Sequence, residues 1–369
     1  MNFSILNRAI FFQLFAIISL LMIIPALIAF LERDYFVART FLYCSCGGVI
    51  VYTLIAIALS NVLKVQNNFE KLLSFILSYF FLPIFMALPL VLSVAEVGLI
   101  DAWLEMVSSF TTTGLIITNL EIFSGSAFRL WFGMVSWIGG IFFWICAISI
   151  LLPLNINRFE TGDNDFLDGS SIKRHEGNSV ISNARYLIPI YLIITIALWL
   201  FLTLVGMSGF QALLMAMSVI STSGFDTLSD EIPKIFIIEG IILVFFVFAL
   251  SKSLFFRDIN DLRKFRFFTD PEIRLALIII FAVTGLFYAK SIFALSSENI
   301  DINLLVLLKH LWGIFFTVTS YLVTMGIESK VWSDYPSFAL AEVSTVSLMG
   351  LAIIGGGVAT TAGGVKLLR

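Results

Sequence analysis

Three stretches of this chain set small hydroxyl side chains and a glycine at a common spacing. The first is Ser108-Ser109-Phe110-Thr111-Thr112-Thr113-Gly114. The second is Ser218-Val219-Ile220-Ser221-Thr222-Ser223-Gly224, and the third is Ser320-Tyr321-Leu322-Val323-Thr324-Met325-Gly326. They recur at intervals of roughly 100 residues, each between two membrane-length apolar segments. Glycine opens backbone conformations closed to other residues, and carbonyl oxygens in such a turn can replace the water around a stripped cation. Serine or threonine beside the glycine satisfies the remaining polar groups locally. This chemistry lies mainly in the backbone, so the copies can differ at side chains. The candidate ion-filter residues are therefore Thr111, Thr112, Thr113 and Gly114; Ser221, Thr222, Ser223 and Gly224; and Val323, Thr324, Met325 and Gly326. The third copy reads as degraded, because Val323 and Met325 stand where Thr or Ser is expected. Lys309 also precedes it, where a cation facing the path would oppose permeation and one snorkelling away or pairing with a carboxylate would not.

A short helix aimed into the membrane must position each string. Its C-terminal carbonyls carry partial negative charge, which favours a cation in the cavity below. One Thr-Thr-Gly is weak evidence, but three copies in equivalent places are much stronger. Irregular backbone at membrane depth survives only when buried in protein or lining a watery path. Composition agrees with a membrane setting: 59% of residues are hydrophobic and 13% charged, with a mean hydropathy of +1.02. A soluble domain of this length could not cover such a surface with so few charges. The expected fold class is an all-α polytopic membrane protein built from repeated helix–pore loop–helix units around a pseudo-fourfold axis.

The organisation read from the apolar runs is as follows. Residues 1–65 form an accessory N-terminal helix pair, 66–154 pore unit 1, and 155–182 a cytoplasmic linker. Residues 183–256 form pore unit 2, 257–270 a second cytoplasmic linker, and 271–369 pore unit 3. The short helices are expected at about 99–110, 211–220 and 304–322. The first apolar stretch, 9–31, is too long for a signal-peptide core and reads as a retained span. Arg158, Lys173, Arg174 and Arg185 lie in or beside the first linker, and Arg257, Arg263, Lys264, Arg266 and Arg274 in or beside the second. Residues 93–127 hold no Lys or Arg. The positive-inside rule then places the linkers and the N-terminus in the cytoplasm and the strings on the outer side.

Other chemistry is poorly supported. The net charge of −3 says little, because orientation depends on where Lys and Arg lie, and no basic cluster suggests a nucleic-acid partner. Cys44, Cys46 and Cys146 sit in apolar runs and read as small buried residues. Neither His175 nor His310 has companion ligands, so no metal site is expected beyond an alkali cation at the filter. Asp101 and Glu105 stand one turn apart on the first short helix, whose start near water suits capping and solvation rather than a catalytic dyad; no enzyme is expected. Asp226, Glu328 and Glu121 lie just outside the strings, where they either raise local cation concentration or are ordinary solvated carboxylates.

These residues resemble the Trk/Ktr/HKT superfamily of potassium transporters, and its TrkH-type membrane subunit most. The resemblance covers nearly the whole chain, including the additional N-terminal helix pair. Phe110 through Gly114 resembles the family's first filter, Trp137-Ile138-Gly139-Gly140-Ile141 its stretch in the following helix, and Ser221 through Phe225 its second filter. The most specific match is Gly356 through Lys366, which resembles the intramembrane gating loop. Gly355, Gly356, Gly357, Thr360, Thr361, Ala362, Gly363, Gly364 and Lys366 are its candidate residues. The resemblance implies potassium uptake across a bacterial inner membrane and a filter glycine from each of four units. It also implies a homodimer among lipid and a cytoplasmic nucleotide-binding (TrkA-like) regulatory subunit. Potassium is the substrate and this chain needs no cofactor. Gly114, rather than Ser, at the first filter position favours potassium over sodium. Lys366 would plug the closed path or reach the cytoplasmic interface. Three of the four expected units are read here, so the chain alone is expected to conduct poorly. The alternative reading is a non-conducting truncated or regulatory relative, or a fragment, with a sodium transporter as a third possibility.

Overall fold

The structure is a computed structural model and describes residues 10–58, 68–115, 123, 125–151, 180–225, 234–250, 271–297, 304–330, 341–357 and 360–367. Every regular element among them is helical, as lipid demands of a chain that must satisfy its own backbone polar groups. In chain order these are α1 (Ile10–Leu21), α2 (Ile23–Leu31), α3 (Tyr35–Ala58), α4 (Asn68–Ser93), α5 (Leu99–Phe110) and α6 (Ser126–Cys146). They continue with α7 (Val180–Val205), α8 (Gly209–Ser221), α9 (Ile235–Leu250), α10 (Pro271–Ser297), α11 (Leu304–Leu322) and α12 (Ala341–Ile354). Among the described residues, six helical stretches are long and apolar enough to cross a membrane. They are Phe11–Leu31, which joins α1 and α2, and Tyr35–Ala58, Lys71–Ser93, Ser126–Ser149, Ser182–Val205 and Pro271–Ile292.

The chain divides into two compact units, with the boundary inside α7 between Arg185 and Tyr186. In the first, α6 is the inner helix: 78% of its apolar window is buried, against 22–39% for the other spans. The short helix α5 lies against both α4 and α6. Pro83 and Pro89 interrupt the main-chain ladder of α4. Two indoles donate into that stretch, Trp103 Nε1 to the Phe80 carbonyl at 3.2 Å and Trp131 Nε1 to the Met86 carbonyl at 3.1 Å. An aromatic cluster grips the inner end of α5. Phe110 stacks on Phe142 with centroids 5.7 Å apart and lies 5.0 Å from Tyr79. Gly139 of α6 is obligatory there, because a Cβ on it would lie 2.0 Å from the Phe110 carbonyl oxygen. The helix α6 passes into a π-helical turn, Ala147–Leu151.

In the second unit, α8 packs on α9, and α11 packs on α10, α12 and α9. Trp199 Nε1 of α7 donates to the Gly209 carbonyl at 2.9 Å, which fixes the start of α8. Ser208 caps that start through its hydroxyl. The outward faces are apolar, with Leu204, Val244 and Leu286 among the most exposed side chains, as lipid-facing helices permit.

Two expectations are corrected. Glu105 is buried rather than solvated, at 5% exposure; Asp101 of the same helix is exposed. Cys46 is exposed rather than buried, because it falls on the opposite side of α3 from Cys44.

Candidate functional site

The three strings share one backbone. Each short helix ends in a Schellman motif whose left-handed residue is a threonine: Thr112 at φ 54°, Thr222 at 53° and Thr324 at 62°. The bonds repeat with the residues. Thr113 N, Ser223 N and Met325 N donate to the carbonyls of Ser108, Ser218 and Ser320 at 2.9, 3.0 and 2.9 Å. Thr112 N, Thr222 N and Thr324 N donate to Ser109, Val219 and Tyr321 at 3.0, 3.3 and 3.0 Å. Two residues beyond each threonine, Gly114, Gly224 and Gly326 have φ of 70°, 72° and 73°. A β-branched residue in the left-handed region costs on the order of 1 kcal/mol, so its recurrence at one position in three turns marks a specific requirement.

The third copy is therefore not degraded in its fold. Val323 and Met325 turn their side chains into protein, at 0% and 3% exposure. What the copies share is threonine two residues before the glycine and serine six before it. That serine closes each turn differently. Ser108 Oγ donates to the Leu115 carbonyl at 2.8 Å, Ser223 Oγ donates to Ser218 Oγ at 3.4 Å, and Ile327 N donates to Ser320 Oγ at 2.9 Å.

Within the second unit the second and third turns meet. A Cβ on Gly224 would lie 2.5 Å from the Met325 carbonyl oxygen, so only glycine fits there. Glycine and a main-chain oxygen are thus packed face to face. In the first unit, Thr111 Oγ1 bonds the Val107 carbonyl and shares a 2.7 Å contact with Thr113 Oγ1.

Beyond α12 the chain folds back on itself. Gly355 and Gly364 have φ of 75° and 81°, and a Cβ on Gly364 would lie 2.5 Å from the Gly355 Cα. Val365 N and Lys366 N donate to Ile353 and Ile354 carbonyls, both at 2.8 Å, and Leu367 N donates to Gly356 O at 3.2 Å. These bonds satisfy carbonyls that a helix end otherwise leaves orphaned. The segment docks on the end of α9. Gly357 N and Thr360 Oγ1 donate to the Ala249 carbonyl at 3.2 and 2.9 Å, and a Cβ on Gly357 would lie 2.1 Å from the Leu250 carbonyl oxygen. It also reaches the two left-handed threonines of the second unit, Thr222 and Thr324. Thr222 Oγ1 donates to Thr361 O at 3.0 Å, and Gly363 N donates to Thr324 Oγ1 at 2.7 Å. Ala362 is fully buried between these contacts. Lys366 Nζ donates to the Ala362 carbonyl, and Glu272 at the start of α10 attracts its charge. Lys366 is thus held within the segment rather than extended away from it.

A buried carboxylate that sequence reasoning missed stands behind the third turn. Glu239, in the apolar run of α9, is fully buried and accepts from Trp312 Nε1 at 2.7 Å, Ser329 Oγ at 2.8 Å and Lys330 N at 3.0 Å. A lone acid inside an apolar helix was the available signal. Glu328 is exposed and accepts from the Tyr321 hydroxyl at 3.3 Å. His310 is buried in α11, and no group of metal-ligating side chains forms among the described residues. Asp226, Glu121, His175 and most of the linker cations lie outside the described residues.

No protein-family profile matches the sequence. Individual relatives do. An uncharacterized cation transporter of Methanocaldococcus jannaschii is 31% identical over 291 residues, 77% of this chain and 54% of that protein. The Trk system potassium uptake protein TrkI of Halomonas elongata is 28% identical over 79% of this chain and 57% of its own length. The Trk system potassium uptake protein TrkH of Escherichia coli K12 is 26% identical over 94% and 70%. This chain therefore spans little more than half the length of the first two. The crystal structure of the potassium transporter TrkH from Vibrio parahaemolyticus matches all of this chain and 74% of its own, with a TM-score of 0.79 at 23% identity. By these sequence relationships and a fold shared over its whole length, the chain is similar to the TrkH-type members of the Trk/Ktr/HKT superfamily.

Proposed function

We propose that this chain is the membrane subunit of a potassium-uptake system, with the three glycine turns as the dehydrating filter and the folded-back segment beyond α12 as a gate held against the second and third of them. The observation that carries the reading is the threefold repeat of one strained backbone, left-handed Thr then left-handed Gly, at the end of a short helix. Such a turn presents oxygens whose number and spacing a cation can use in place of water. The hydrogen bonds that tie the folded-back segment to Thr222 and Thr324, one donated by Thr222 and one accepted by Thr324, support its role as a gate. The names of the relatives supply the ion, and Gly114 at the first position agrees with potassium. The chain works as a homodimer in the inner membrane, with its N-terminus and basic linkers in the cytoplasm. There a nucleotide-binding regulatory subunit moves the gate.

Rubidium uptake into proteoliposomes tests the proposal. Folded protein should admit rubidium in competition with potassium and only weakly with sodium, and substitution of Gly114 or Gly224 should abolish the uptake. Folded protein that admits no rubidium, or admits it unchanged after both substitutions, would overturn the reading.

A further inference from the structure

Glu239 has the wrong chemistry for its neighbourhood. It stands between Ile238 and Gly240 in the apolar helix α9 with no exposed surface. A buried carboxylate is tolerated only where its oxygens are well satisfied. Here three donors converge on it, and they come from both sides of the third turn. Trp312 belongs to the short helix α11 that leads into the turn, and Ser329 and Lys330 to the limb that leaves it. Two further bonds hold the same limb. Ile327 N donates to Ser320 Oγ at 2.9 Å and Ser329 N to Thr317 Oγ1 at 3.1 Å. The N–H groups of residues 327, 329 and 330 are thus all turned toward the scaffold. A cation path gains from this, because an N–H aimed into it would repel the ion.

We infer that Glu239 is a positioning residue of the third turn, and that its carboxylate sets the spacing by which the turn discriminates between alkali cations. The inference rests on the cation-path reading above. The requirement is for a carboxylate rather than any polar group of that size. Both oxygens of a carboxylate only accept, and Trp312 Nε1 and Lys330 N can only donate. A glutamine would set its own NH₂ against one of those N–H groups, and only the Ser329 hydroxyl could turn round to accept. The limb would then shift to relieve a donor–donor clash.

The test uses the whole chain, in proteoliposomes for rubidium uptake against sodium and in detergent for thermal denaturation in KCl or NaCl. Glu239→Gln should lower the rubidium-over-sodium preference about tenfold, the scale of a lost hydrogen bond to a charged group. Adding Trp312→Phe removes the clashing N–H, so the double variant should recover most of the lost preference. Ser329→Ala keeps the carboxylate and should cost less, about threefold. If Glu239→Gln lowers the melting temperature equally in both salts and leaves the ion preference unchanged, the role is structural only and the inference is overturned. Should Glu239→Gln fail to fold, an unchanged preference in Ser329→Ala overturns it instead. Wild-type protein that does not distinguish the two cations would overturn the cation-path reading and this inference together, whereas an intact wild-type preference isolates the inference.

Discussion

Gly224→Ser puts the backbone account under the greatest load. The new Cβ would start 2.5 Å from the Met325 carbonyl oxygen, at a φ of +72°. Relief requires that oxygen to retreat by roughly an ångström to reach ordinary contact. The left-handed conformation adds on the order of 1–2 kcal/mol in a non-glycine residue. The third turn is braced by α11 and α9 through Ser320, Thr317 and Glu239, so the carbonyl cannot withdraw without breaking bonds. The strain should therefore fall on the facing turns and alter the spacing of their oxygens. Rubidium uptake should fall at least tenfold, the rate equivalent of about 1.4 kcal/mol, and the residual flux should lose its preference for potassium over sodium. Uptake and cation competition in proteoliposomes measure both, with size-exclusion behaviour and melting temperature as controls for folding. A Gly224→Ser protein that folds, transports at the wild-type rate and still prefers potassium would show that the Met325 oxygen has no part in the path.

Other outcomes follow from the same geometry. Gly139→Ala drives a methyl to 2.0 Å from the Phe110 carbonyl and should destabilise the first unit by about 1–3 kcal/mol, read as a lowered melting temperature. Thr324→Val keeps the β-branched shape but removes the acceptor for Gly363 N; the loosened segment should raise basal rubidium leak several-fold, on a net hydrogen-bond value of about 1 kcal/mol. Gly357→Ala cannot dock against the Leu250 carbonyl, so a cysteine at Ala362, now fully buried, should become reactive to a water-soluble thiol reagent. Unchanged leak in the first of these two variants, or unchanged reactivity in the second, would remove the folded-back segment from the gating account.

The helical architecture was legible because apolar runs of membrane length, broken by short polar turns, leave few alternatives. The short helices α5 and α11 end inside their serine, threonine and glycine strings, at Phe110 and Leu322. The third turn departs from the other two only at Val323 and Met325, whose side chains are buried against protein. The backbone requirement sits at Thr324 and Gly326 themselves. The role of Glu239 is not legible in the sequence. Its partners lie 73 to 91 residues away, and no local pattern in α9 announces a clamp on another helix. The folded-back segment was visible as a glycine-rich string. Its bonds to Thr222 and Thr324, 139 and 39 residues distant in sequence, could only be seen in three dimensions.

Anomalous diffraction from crystals grown in rubidium or thallium salts would test the central claim most directly. The account predicts a heavy-ion peak at coordination distance from the Met325 carbonyl and its neighbours in the second turn, lost in Gly224→Ser and displaced by potassium more readily than by sodium. Density that avoids these main-chain oxygens, and gathers only at surface carboxylates such as Glu328, would contradict it.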